Sequence, residues 1–171
     1  MQKKAKLVQI IRKIGAPEPP RIKLTGILES PEQDLFTFSF RAEDALCNIL
    51  NFLGDLSINI RFLSKTPQSD NHYWARISTD PDQREKVLAI FSRREITNNI
   101  SGFTSHQGVR IISLYPFKGN PGVAIHLYNT FHSNNVEILA ISTASSVISC
   151  VIWSKKLPQA RNLLKSAFYF S

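Results

Sequence analysis

Only two cysteines and one methionine occur in the 171 residues. Cys47 falls in a helical pattern and Cys150 in a strand pattern, so neither a disulfide framework nor a zinc cluster with closely paired ligands is available, and both are expected as core thiols. No run approaches the roughly 18 apolar residues of a membrane span. Gln9, Arg12 and Lys13 interrupt the apolar stretch that a secretory signal requires, so a cytoplasmic location is expected. The four histidines, His72, His106, His126 and His132, form no H-x-H, H-E-x-x-H or Cys/His spacing. P-loop, G-x-G-x-x-G and G-x-S-x-G motifs are missing as well. The expectation is a chain without a metal, a cofactor or catalytic residues.

What is present argues for packed structure. A hydrophobic content of 43% is enough for one ordinary domain or two small ones. The net charge of +8 is unevenly placed: residues 1 to 23 hold seven cations against Glu18 alone, a net of +6, which leaves +2 for the rest. Residues 5 to 14 set Leu7, Ile10, Ile11 and Ile14 at helical spacing with Lys and Arg opposite, predicting a short basic amphipathic helix that Gly15 stops. Its apolar stripe suits docking on its own domain or a twin subunit; an acidic partner or anionic surface is the alternative. The proline-bearing stretch 16 to 20 separates this arm from the remainder.

One order of elements then occurs twice. Strand 35 to 40, helix 44 to 56, strands 58 to 63 and 72 to 77 and helix 81 to 93 are followed by strand 109 to 114, helix 122 to 134, strands 136 to 141 and 147 to 153 and helix 156 to 168. Each βαββα unit wants a fourth strand to close its sheet. The first finds one at 99 to 104. The second runs out of chain, and the unassigned apolar run is 22 to 28. The predicted fold class is therefore α+β: two ferredoxin-like βαββαβ units, the first (35–105) inserted between the N-terminal strand and the remainder of the second (22–28 plus 106–171).

The residues resemble a family at this point. Asn120, Pro121, Gly122, Val123 and Ala124 look like the loop-to-helix motif H-P-G-V-A of the tandem ACT domains in the aspartate kinase regulatory region, which also occurs as a stand-alone regulatory subunit. Ile141, Ser142 and Thr143, followed by Ile148 and Ser149, resemble its I-S-T-S-E-I-x-I-S run. Leu24, Thr25, Gly26 and Ile27 resemble its V-T-G-I strand, which in that family completes the second unit. The resemblance implies a non-catalytic regulatory module that holds a small amino acid, or a related carboxylate, between paired units. The kinase domain of the family lies outside this stretch, and no kinase activity is expected.

Physical reasoning supports a ligand site at the better-matched loop. Glycine-containing turns that enter a helix expose backbone N–H groups backed by the helix dipole, and Lys118 adds a cation. The expected ligand-binding set is Lys118, Gly119, Asn120, Pro121, Gly122 and Val123 facing the strand with Asn59 and Ile60, where the resemblance puts an asparagine able to donate and accept. A plain strand-to-helix turn with proline at the helix start, and a turn asparagine satisfied by backbone, would account for the same residues. At the companion site the resemblance departs: Arg41 stands for a loop aspartate, Lys65 for a strand-end glutamine, Glu137 for a strand asparagine, and Glu43 and Asp44 for Pro-Gly. That site is either silent or retuned.

Open sheet edges suggest a homodimer with an eight-stranded interface, and an enzyme regulated in trans is a further expected partner. The rival class is nucleic-acid or protein-partner binding through the basic arm, with the ligand sites lost. A βαββαβ sheet serves RNA when aromatics line its open face, and Phe36, Phe38 and Phe40 share one face. The K/R-G-F/Y-x-F motif is missing, however, and those rings are expected to point into the core.

Overall fold

The computed structural model describes residues 22–68 and 71–171. The basic segment 1–21, with the helix expected at 5 to 14, lies outside the described residues. The elements in chain order are β1 (Lys23–Leu24), β2 (Gly26–Glu29), β3 (Gln33–Phe40), α1 (Glu43–Asp55), β4 (Ile60–Pro67), β5 (Tyr73–Thr79), α2 (Arg84–Phe91), α3 (Arg94–Thr97), β6 (Ile100–Tyr115), α4 (Pro121–Ser133), β7 (Ala140–Thr143), β8 (Ile148–Trp153), α5 (Leu157–Ala167) and β9 (Tyr169–Phe170). The α+β, ferredoxin-like class expected from the sequence is what the chain adopts.

Each helix follows from its apolar spacing. Ala45, Leu46, Ile49 and Leu53 line one stripe of α1, Val123, Leu127 and Phe131 one stripe of α4, and Leu157, Ala160 and Leu164 one stripe of α5. Strand β3 alternates in step with the pleat. Phe36, Phe38 and Phe40 are at most 1% exposed and pack with Ile49, Ile77, Val87 and Ile90 under α1 and α2. They are core residues, as expected, and no aromatic platform for RNA. A second core beneath α4 and α5 gathers Leu24, Leu114, Val123, Phe131, Ile148, Cys150, Leu164 and Phe168. Each large side chain so buried contributes roughly 1.5–3 kcal/mol.

The strand order is β4-β5-β3-β6-β8-β7, with β2 also on β6. Two four-stranded sheets, each closed by its own fourth strand and paired side by side, were the sequence expectation. Instead, the strand expected at 99 to 104 and the one at 109 to 114 are a single 16-residue strand, β6. Along one of its edges run β2 (Gly26 opposite Tyr115, Glu29 opposite Ile112) and then β3 (Gln33 opposite Val109, Phe40 opposite Ile100), all antiparallel. β8 takes the other edge from Val109 to Leu114. One long strand therefore threads both units, and seven strands share one sheet.

Continuity survives because β6 absorbs its twist in two bulges. Between Gln33/Leu35 and between Thr37/Ser39 the ladder shifts register, each time with an extra residue on β6. Gly108 (φ 69°) and Gly102 (φ 60°) sit at these shifts, in the left-handed region where a side chain is strained. A third apolar cluster, Leu35 and Phe62 with Val109, Ala140 and Val151, packs residues of both units against each other.

Three further departures have local causes. The strand expected at 136 to 141 is shorter and later, Ala140–Thr143; Val136 is buried by packing into the α4/α5 core, which gives it a strand-like apolar signature without a ladder. Cys150 is buried but Cys47 is exposed, because α1 turns Leu46 and Ile49 inward and leaves position 47 on its outer face. The two-residue β9, parallel to β1 (Lys23 opposite Tyr169), was too short to leave a sequence signal.

Candidate functional site

The loop after β6 is anchored before it is displayed. Phe117 is buried, and its N–H donates to the Ser146 carbonyl at 2.8 Å. Lys118 (φ 51°) and Gly119 (φ 63°) then take left-handed conformations on the surface. Asn120 closes the turn: its N–H donates to the Phe117 carbonyl at 3.0 Å, and its Oδ1 accepts from the Gly122 N–H at 2.9 Å as the N-cap of α4. The Val123 N–H donates to the Asn120 carbonyl at 3.1 Å. The Gly122 donor expected to greet a ligand is thus used by the cap. Among the described residues, the N–H groups of Lys118 and Gly119 are those of the loop without a protein partner.

Gly122 keeps its place for a steric reason as well. A Cβ there would lie 3.0 Å from Asn120 Oδ1 and 3.5 Å from Ile22 Cδ1. Pro121 supplies the fixed φ of the first helical position.

Asn59 is exposed just ahead of β4, and Ile60, 37% exposed, begins that strand opposite Thr79. β5 and β3 lie between β4 and β6. Thr79 faces Asp34, next to Gln33 and its partner Val109, so the loop beyond Tyr115 starts on the order of 20 Å further along β6. One chain therefore presents Asn59 and the 118–122 loop as two separate half-surfaces.

The companion set is engaged internally. Lys65 forms an ion pair with Glu43 in the first turn of α1 and lies 4.1 Å over the Tyr73 ring. Arg41 Nε donates to His72 Nε2 at 2.8 Å. Glu137 accepts from Trp153 Nε1 at 2.8 Å. Where a ligand carboxylate would meet the positive end of α1, the protein's own Glu43 already stands.

Other features were not singled out in the sequence. Ile125 and Tyr128 on α4 and Ile141 on the outer strand β7 are 60%, 53% and 44% exposed, apolar side chains left uncovered on the second unit. A cavity of about 570 Å³ opens between β2, α5 and β9, where Glu29 meets Arg161. Another, of about 420 Å³, lies on the sheet around Trp74 and Arg76. Alternation along β5, with Ala75 and Ile77 inward, is the signal that could have placed Trp74 and Arg76 outward. No group of three or more His, Cys, Asp or Glu side chains suited to a metal occurs among the described residues. No helix among them is long and apolar enough to cross a membrane.

In the second unit, residues 117–168 match the family model of the ACT domain. Relatives extend the likeness across both units. An aspartokinase of Bacillus sp. (strain MGA3) is 22% identical over 129 residues, 74% of this chain, and the chain spans 31% of that relative's length. The regulatory subunit of aspartate kinase from Thermus thermophilus, ligand-free, superposes with a TM-score of 0.74 at 13% identity, covering 85% of this chain and 98% of that one. The aspartate kinase from Synechocystis gives 0.75 at 16% identity, covering 94% of this chain and 30% of its own. The fold is thus that of aspartate kinase regulatory subunits.

Proposed function

We propose that this chain is a non-catalytic regulatory module that binds a small amino acid or related carboxylate where the loop of one copy meets the Asn59 strand of another. The unit division 35–105 and 22–28 plus 106–171 belongs to the same reading. The observation that carries it is the loop itself: Lys118 and Gly119 present two N–H groups without a partner among the described residues, and one cation, just ahead of α4, ready for a carboxylate. Asn59 and Ile60 supply the facing strand, with Asn59 accepting from the ligand's ammonium and donating to its carboxylate.

A homodimer completes the site, because the two halves are distant within one chain. The exposed Ile125, Tyr128 and Ile141, together with Ile60 and Leu63 on β4, give such a pairing an apolar contact at both outer strands. The companion set Arg41, Lys65 and Glu137 is then a silent counterpart, satisfied by its own ion pair and hydrogen bonds. An enzyme regulated in trans is the downstream partner, in keeping with the fold shared with aspartate kinase regulatory subunits.

The test is a thermal-shift screen of the purified chain against the twenty amino acids. A ligand that binds the folded state raises the midpoint by mass action. The expected result is one amino acid whose shift disappears in Asn59→Ala. A screen in which no amino acid moves the midpoint would sink the reading.

A further inference from the structure

The outward face of the first unit's sheet carries a second, differently built cavity. Ala75 and Ile77 point from β5 into the helix-covered core with Phe36 and Phe38. The intervening Trp74 and Arg76, with Thr37 of β3, therefore point the other way. Register then sets a row across four strands: Ser64, Arg76, Thr37 and Thr104 stand opposite one another in turn. Directly paired residues project on the same side, so Arg76 is flanked by the hydroxyls of Ser64 and Thr37, with that of Thr104 one strand further on. Thr66 and Trp74 form the next row.

Trp74 is the floor of this cavity. Gly102 lies on β6, with β3 between it and Trp74's own strand, yet a Cβ at Gly102 would come within 2.8 Å of Trp74 Cη2. The indole thus lies across β3, and the bulge at Gly102 makes room for its rim. What remains above is a concavity of about 420 Å³, lined by Thr37, Thr66, Trp74, Arg76, Gly102 and Thr104. That size suits a small organic ligand.

Arg76 has no ion-pair and no hydrogen-bond partner among the described residues, although it is half-buried. Arg61 and Arg84, on the same unit, are both paired, with Asp80 and Asp34. No carboxylate lines the cavity among the described residues. A half-buried guanidinium beside hydroxyl donors and a flat aromatic surface recognises an anion that also carries a ring: the guanidinium takes two oxygens side by side, and the indole takes the ring by stacking.

We propose that this face of the first unit binds a small anion bearing a planar ring, held by Arg76 and stacked on Trp74. A nucleoside monophosphate and an aromatic carboxylate share that chemistry. The site stands apart from the amino-acid reading: it lies on the sheet face rather than at the outer edges, and Asn59→Ala leaves it unchanged.

Intrinsic fluorescence tests it in a Trp153→Phe background, where Trp74 is the one remaining tryptophan. AMP and phenylpyruvate are titrated, with adenosine (ring without the anion) and inorganic phosphate (anion without the ring) as controls. Saturable quenching by AMP or phenylpyruvate is expected, and whichever binds tells phosphate from carboxylate. Arg76→Gln should weaken it about tenfold or more, since a charge-assisted bond of this kind is lost. Its melting point without ligand should change little, because Arg76 forms no ion pair or hydrogen bond among the described residues. Thr37→Val, which removes a flanking hydroxyl without touching the charge, should weaken binding less. No saturable quenching by either compound up to ~10 mM, where even millimolar affinity would register, overturns the proposal. So does equal affinity in Arg76→Gln, or equal binding of adenosine and AMP.

Discussion

Asn120 Oδ1 accepts a hydrogen bond from the Gly122 N–H at 2.9 Å, so the turn that most resembles a ligand loop caps its own helix. The same bond fixes the loop's conformation, and it leaves display to the two residues before it, Lys118 and Gly119.

Replacing that cap separates its two roles. Asn120→Ala is expected to destabilise the chain by about 1 kcal/mol, the usual cost of losing an N-cap side chain. Urea denaturation followed by circular dichroism measures it. A loss near zero would mean that Pro121 and the Val123-to-Asn120 bond hold the turn unaided.

Acid stability should report on the bond between the second unit's fourth strand and its last helix. Arg161 donates to both oxygens of Glu29, at 2.6 and 2.5 Å, and holds its carboxyl below the ordinary value of 4.5, against an opposing push from burial. A carboxylate whose folded pKa is depressed adds stability above its unfolded value and loses it as pH falls through the folded one. Glu29→Gln is therefore expected to melt below the parent chain at pH 7, by a small margin because the pair is partly exposed. The gap should close as pH drops below 4.5. Asp80, lowered by Arg61, titrates in the same sense, so the comparison between the two proteins is the informative one. A gap independent of pH would show that packing, and not the charge, is what the substitution disturbs.

The two thiols should differ sharply in reactivity. Burial pushes the Cys150 thiol up to about 12, so at neutral pH it stays protonated inside the second core. Cys47 is exposed on α1. Iodoacetamide at pH 8 is expected to label Cys47 alone in the folded chain and both residues in denaturant, with mass spectrometry locating the adducts. Labelling of Cys150 under native conditions would reveal opening of the α4/α5 core.

Much of the fold was legible in the residues. The 3.6-residue stripes of α1, α4 and α5 and the two-residue alternation of β3 and β8 are local signals, and each element lies within a few residues of its expected place. The repeated order of those elements carried the class. Expectation failed where burial comes from tertiary packing alone. Val136 looked like a strand residue because it is apolar, and its burial comes from α4 and α5 rather than from a ladder. Cys47 looked like core because its neighbours Leu46 and Ile49 are.

The candidate sites divide in the same way. Loop residues 118 to 123 could be named in advance because a proline and two glycines in a strand-to-helix turn are a chemical statement in themselves. That Asn120 takes the Gly122 donor, that Lys65 is tied to Glu43, and that Asn59 stands far from the loop depend on distances that no spacing encodes. The Arg76 and Trp74 face is the clearest case. Its row of one guanidinium and three hydroxyls comes from four strands whose sequence separations range from about ten to about seventy residues, and only the register of a shared sheet sets them side by side. The sequence by itself determined which stretches form helices and strands and which faces they bury, because those follow from local periodicity and the removal of apolar surface from water. The tertiary structure alone decided that two units share one long strand and which polar groups meet, because hydrogen-bond register acts between residues remote in the chain.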